Sequence, residues 1–90
     1  MKFALGHCVV TRGAAQLLER LRVNAIDLLL RHASGDDGDL SAHDKALNAA
    51  AIASGQDRVF SAYELAGGHR VWVITEWDRS VTTILLPDEY

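Results

Sequence analysis

Near residue 57 the hydrophobic period of the chain changes from that of helices to that of strands. Upstream, Ala14, Leu17, Leu18 and Leu21 recur at i, i+3, i+4 and i+7, an amphipathic helical stripe that Thr11 can cap. Asn24 offers a second cap with Asp27 three residues on, ahead of the apolar run Ile26, Leu28, Leu29, Leu30 and Ala33, which Gly35 stops. Ser41 followed by Asp44 starts a third helix that runs through KALNAAAIAS to Gly55. Downstream, RVFSAYELA, HRVWVITE and SVTTILL are rich in β-branched and aromatic residues and read as three strands. Gly67-Gly68 supplies a two-residue hairpin turn between the first pair, and Asp78-Arg79 the turn between the second. Residues 2–10, KFALGHCVV, alternate like a further strand, weakened by Gly6.

The expected fold is therefore α+β: an N-terminal strand, three short helices, and a three-stranded antiparallel meander with the helices packed on one face. The N-terminal strand is placed to join the sheet edge. The 90 residues make one domain, 1–90, large enough to bury roughly two-thirds of its unfolded surface. The two turns imply a register in which Tyr63 faces Trp72, Ala62 faces Val73, Trp72 faces Leu85 and Val73 faces Ile84. One sheet face then carries Ser61, Tyr63, Leu65, Arg70, Trp72, Ile74, Thr83 and Leu85. The other carries Phe60, Ala62, Val71, Val73, Thr75, Ile84 and Leu86. Helices on one side leave the second face in want of a partner.

Composition narrows the function classes. Nine Lys and Arg against twelve Asp and Glu give a net charge of −3. That argues against a nucleic-acid binder, which needs a dense basic footprint to neutralise phosphates. The single cysteine, Cys8, excludes an internal disulfide and a thiol-rich zinc site. The longest apolar run, Ala49 to Ala53, is far short of the ~20 residues that span a bilayer. No membrane partner and a cytoplasmic location are expected.

Three constellations hold residue types that can carry chemistry. His32, Asp36, Asp37, Asp39, His43 and Asp44 hold metal-ligating types close in sequence, but match neither an EF-hand loop nor HExxH. They read as a hydrophilic loop with acids near a helix start. Neither a metal nor any other cofactor is expected. His7-Cys8 are neighbours on a strand, so their side chains point to opposite faces and cannot form a nucleophile–base pair; a packed Cys8 and a half-exposed His7 are expected. Arg70, Glu76, Asp78 and Arg79, with Trp72 and Trp77 nearby, suggest cross-strand ion pairs. They also suggest a surface on which a small nuclease of the RelE toxin type would cleave RNA, although such proteins are strongly basic. GxGxxG, Walker A, GxSxG and CxxC motifs are all absent.

The stretches LLLRHASGDDGDLSAHDKALNAAAIASG and RVFSAYELAGGHRVWVITEWDRSVTTILLPDEY resemble a family of short "plasmid-related" proteins carried on bacterial plasmids and integrative elements. RHASGDxGDL, SAY, VWVITE, DRS and LLPDEY carry the likeness, which spans nearly the whole chain. Some relatives are labelled as the modification subunit of a type I restriction endonuclease. The residues do not support that label, since a DNA adenine methyltransferase needs a cofactor domain and an NPPY-like motif for its flipped base. Where the family has GDWGD, this chain has Asp37 in place of the tryptophan, which removes a docking or packing anchor. The resemblance implies an accessory protein of a mobile element. Missing catalytic motifs point away from an enzyme and toward protein–protein contact through the free sheet face. Tyr63, Arg70, Trp72, Glu76, Trp77, Asp78 and Arg79 are the expected contact residues, and a protein partner or a second copy is the expected ligand. A nuclease and an inhibitor of host defence are the alternatives.

Overall fold

The computed structural model describes residues 1–90. Strand β1 (His7–Val10) leads directly into α1 (Arg12–Leu21), α2 (Ala25–Ala33) and α3 (Ala42–Ser54). Strands β2 (Val59–Glu64), β3 (Arg70–Thr75) and β4 (Val81–Leu85) follow, and a short 3₁₀ turn, Pro87–Glu89, ends the chain. The helix starts follow the capping chemistry of the sequence. Thr11 Oγ1 accepts from the Ala14 amide, Asn24 Oδ1 from the Ile26 amide and Ser41 Oγ from the Asp44 amide. None of the helices is long and apolar enough to cross a membrane.

The fold is α+β, but the sheet is four-stranded and mixed, in the order β1-β4-β3-β2. The antiparallel meander is there as β2, β3 and β4; β1 adds to it in parallel beside β4. The expected register holds between β3 and β4, where Trp72 faces Leu85 and Val73 faces Ile84. Between β2 and β3 it is wrong by one residue. Ala62 faces Trp72 and Tyr63 faces Val71. The reason is the turn. The Leu65 amide donates to the His69 carbonyl (2.7 Å), so three residues, Ala66 to Gly68, make the connection instead of two. A one-residue slip moves every side chain of a strand to the other face. Ser61 and Tyr63 therefore join Val71, Val73, Thr75 and Ile84 beneath the helices, where Ala14, Leu17, Leu18 and Leu28 complete the core.

Inside that core runs a directed chain of hydrogen bonds. The Thr82 hydroxyl donates to the Leu5 carbonyl (2.7 Å), so it must accept from Thr75 (2.7 Å). With its one proton spent, Thr75 accepts from His32 Nε2–H (2.9 Å). His32 Nδ1 is then the acceptor for the Ser61 hydroxyl (2.6 Å). The imidazole is neutral, fully satisfied and 1% exposed. Burial holds its pKa down to about 4.

The β2 edge is sealed. The Ala62 amide donates to the Asp37 carbonyl (3.1 Å), and the Ala62 carbonyl accepts from the Asp39 amide (2.8 Å). The Asn48 side chain serves Phe60 in the same way, accepting from its amide (3.0 Å) and donating to its carbonyl. Loop 37–39 and Asn48 thus act as a surrogate fifth strand. Asp37 pairs with Lys45 (2.6 Å) and bonds Asn48. The Tyr63 hydroxyl donates to the Asp36 carbonyl (2.5 Å), and burial pushes its phenol up to about 12.

Candidate functional site

The sheet face without helices carries Phe60, Ala62, Trp72, Ile74, Thr83 and Leu85, because strand side chains alternate and the other half face the core. Phe60 meets Trp72 edge-on at 5.1 Å between ring centroids. Tyr90 also meets Trp72, at 5.8 Å between centroids. The Arg58 guanidinium lies over the Tyr90 ring at 5.7 Å and donates to its hydroxyl at 2.7 Å. Beside this aromatic row lies a hollow of about 460 Å³, floored by Ile74, Thr83 and Leu85 and rimmed by Arg58, Glu76, Glu89 and Tyr90.

The last turn of the chain holds Tyr90 there. Glu89 Oε1 accepts from the Thr11 hydroxyl (2.5 Å) and the Leu86 amide (2.7 Å), and Oε2 accepts from the Gly13 amide (3.2 Å). A carboxylate thus sits on the unpaired amides at the start of α1, where the helix dipole favours it. The Thr11 hydroxyl, followed by the Leu86 and Gly13 amides, holds the Glu89 carboxyl below its ordinary pKa. A depressed carboxyl holds the latch above its unfolded pKa and loses it as pH falls through the folded value. Acidification through the carboxylate range, or Glu89→Ala, is therefore expected to free the last turn. Trp72 fluorescence should shift toward the solvent-exposed emission, and the Gly13 amide should exchange faster. An unchanged Trp72 signal in the variant would show that Tyr90 is held by other means.

The expected contact residues do not form one surface. Trp72 is on the open face, with Glu76 on its rim, and Trp77 stands 62% exposed in the β3–β4 turn. Tyr63 is corrected from exposed to buried by the register slip. Arg70 and Glu76 flank opposite ends of β3, about 20 Å apart at roughly 3.3 Å per residue, so the four-residue polar cluster is not assembled. Arg70 instead lines a groove of about 350 Å³ with Arg20 and His69 beside α1. Asp78 accepts from the Ser80 amide and hydroxyl within its own turn. Arg79 is a staple for backbone carbonyls: it donates to Asp57 (2.6 Å), Trp77 (3.1 Å) and Ala51 (3.0 Å), tying α3 to the β3–β4 turn.

The histidine–aspartate set is likewise dispersed. His32 is in the core, Asp36 pairs with Arg31 at 2.8 Å, and Asp37 with Lys45. No three His, Cys, Asp or Glu side chains converge. Cys8 is exposed, contrary to the packed position expected of it, because β1 is an edge strand. Sequence reasoning missed Arg58 and Tyr90 altogether. Both lie outside the strands: Arg58 immediately precedes β2, and the folded tail brings Tyr90 against Trp72 and Arg58. No protein family, curated protein or solved structure matches the chain.

Proposed function

We propose that this protein is a non-enzymatic binding module that takes an apolar side chain of a protein partner into the hollow on its helix-free sheet face. The carrying observation is the aromatic row Phe60, Trp72 and Tyr90 beside a floor of Ile74 and Leu85, with Arg58 and Glu76 placed on the rim. Tryptophan, tyrosine and arginine concentrate binding energy at protein interfaces when they surround an apolar pocket. The resemblance to plasmid-borne proteins supports an accessory role on a mobile element, with the partner a protein of that element or of its host. Separation of Arg70 from Glu76 and the engagement of Arg79 by carbonyls weigh against the nuclease reading.

The test is capture from the native host with tagged protein, comparing wild type with Trp72→Ala and Arg58→Ala. Truncation of an interface hot spot costs about 2 kcal/mol or more, roughly a thirtyfold loss of affinity. The expected result is a specific protein retained by wild type and lost from Trp72→Ala. A partner insensitive to both substitutions overturns the reading. So does cleavage of RNA or DNA by purified protein with Mg²⁺ or Mn²⁺.

A further inference from the structure

The two edges of the sheet are treated differently. The β2 edge is closed by loop 37–39 and Asn48, whereas all four residues of β1 are exposed. Within β1 the backbone groups divide by parity. The His7 amide donates to the Ser80 carbonyl (2.9 Å) and the Thr11 amide to the Ile84 carbonyl (3.0 Å), so odd-numbered residues bond β4. The amides and carbonyls of Cys8 and Val10 therefore point outward. Natural edges are blunted by lysine, proline, bulges or a covering loop. The β1 sequence HCVV has no lysine, proline or covering loop, its four-residue length being its one restraint, and Val9 and Val10 are each 37% exposed.

We propose that β1 is a dimerisation edge: two copies of the chain pair antiparallel through it, centred on Val9, into one continuous eight-stranded sheet. The occupant is a second copy because the edge is self-complementary. Cys8 and Val10 each offer one donor and one acceptor two residues apart, so a two-fold axis at Val9 pairs Cys8 of one copy with Val10 of the other, twice over, in four hydrogen bonds. The chain also sets the register. Gly6, at φ +65°, breaks the strand before His7, and Thr11 caps α1 after Val10, so the outward-facing groups are those of Cys8 and Val10, a pair centred on Val9. This inference does not depend on the partner-binding face, which the dimer leaves open.

Light scattering on the full chain should give twice the 9.8 kDa mass across a dilution series. Val9→Lys sets two ammonium groups opposite each other, and Cys8→Pro removes an outward amide that bonds nothing within the chain. Both variants should run as monomers with unchanged circular dichroism. Opposed residues of a non-hydrogen-bonded pair lie about 4.5 Å apart between Cα atoms, within disulfide reach. Val9→Cys in a Cys8→Ser background should therefore cross-link on mild oxidation, and wild-type Cys8 should not. A monomeric wild type overturns the inference, as does a dimer that survives both edge substitutions. A dimer lost only in Trp72→Ala would move self-association to the open face and overturn it equally.

Discussion

Replacing His32 with alanine is expected to lower stability by about 3–5 kcal/mol, from the cavity and from the Ser61 and Thr75 hydroxyls left without their partner. For a chain of this size that is a fall of roughly 12–40 °C in Tm, at about 4–8 °C per kcal/mol. The same side chain sets a pH dependence. Its folded pKa is about 4 against an ordinary 6.5, so the unfolded chain binds the extra proton first. Stability is then complete above pH 6.5, declines as pH falls through the interval down to 4, and changes no further on this account below it. At 1.36 kcal/mol per unit the span is on the order of 3 kcal/mol. The physical cause is burial, which disfavours the charged imidazole, and the direction of the hydrogen bonds acts with it. Every proton in the Ser61–His32–Thr75–Thr82 chain already has a place, and a second proton on the imidazole would face the Ser61 proton. Urea melts at pH 5 and pH 7 with and without His32 check this. Coincident wild-type melts at the two pH values would show that the imidazole is not held neutral.

Gly38→Ala is the second substitution expected to act strongly. Its φ is +72°, and a Cβ there would stand 2.1 Å from the Ala62 carbonyl oxygen and 2.7 Å from the Tyr63 ring. The obstacle is backbone, so the loop must leave the strand. The two Ala62 bonds and the Tyr63–Asp36 bond go with it. Left-handed strain and lost bonds together suggest a loss of about 2–4 kcal/mol. An opened β2 edge should also promote association. Gly55→Ala is the control: φ is +69°, but no atom lies within 4 Å, so only the conformational cost of roughly 1–2 kcal/mol applies. Urea melts and exchange of the Ala62 amide separate the two. Equal destabilisation by both variants, with Ala62 still protected, would remove the steric argument.

Local chemistry was legible in the sequence. Thr11, Asn24 and Ser41 start helices because a short polar side chain can satisfy an amide two or three residues ahead, which needs no tertiary contact. The β3–β4 register was equally local, since the two strands are adjacent and their turn is short. The β2–β3 register was not. Gly67 and Gly68 both take positive φ, as a two-residue turn would require, yet Ala66 joins the loop and the parity changes. Hydrophobicity could not choose between the registers, because Phe60, Ala62 and Tyr63 suit either face. Packing chose: Tyr63 reaches Asp36 and Ser61 reaches His32 only from the helix side. The same holds for the candidate site. Strand alternation pointed to a sheet face without helices, and Trp72 lies on that face. Tyr90 reaches that face, and meets Arg58 there, through a carboxylate at a helix start 76 residues away in sequence, and no local pattern encodes a contact of that span. The sequence by itself determined the elements and their ends, which depend on neighbours within a turn. Tertiary structure decided which side of each strand is inside and what gathers on the side left open, because those depend on groups that only folding brings together.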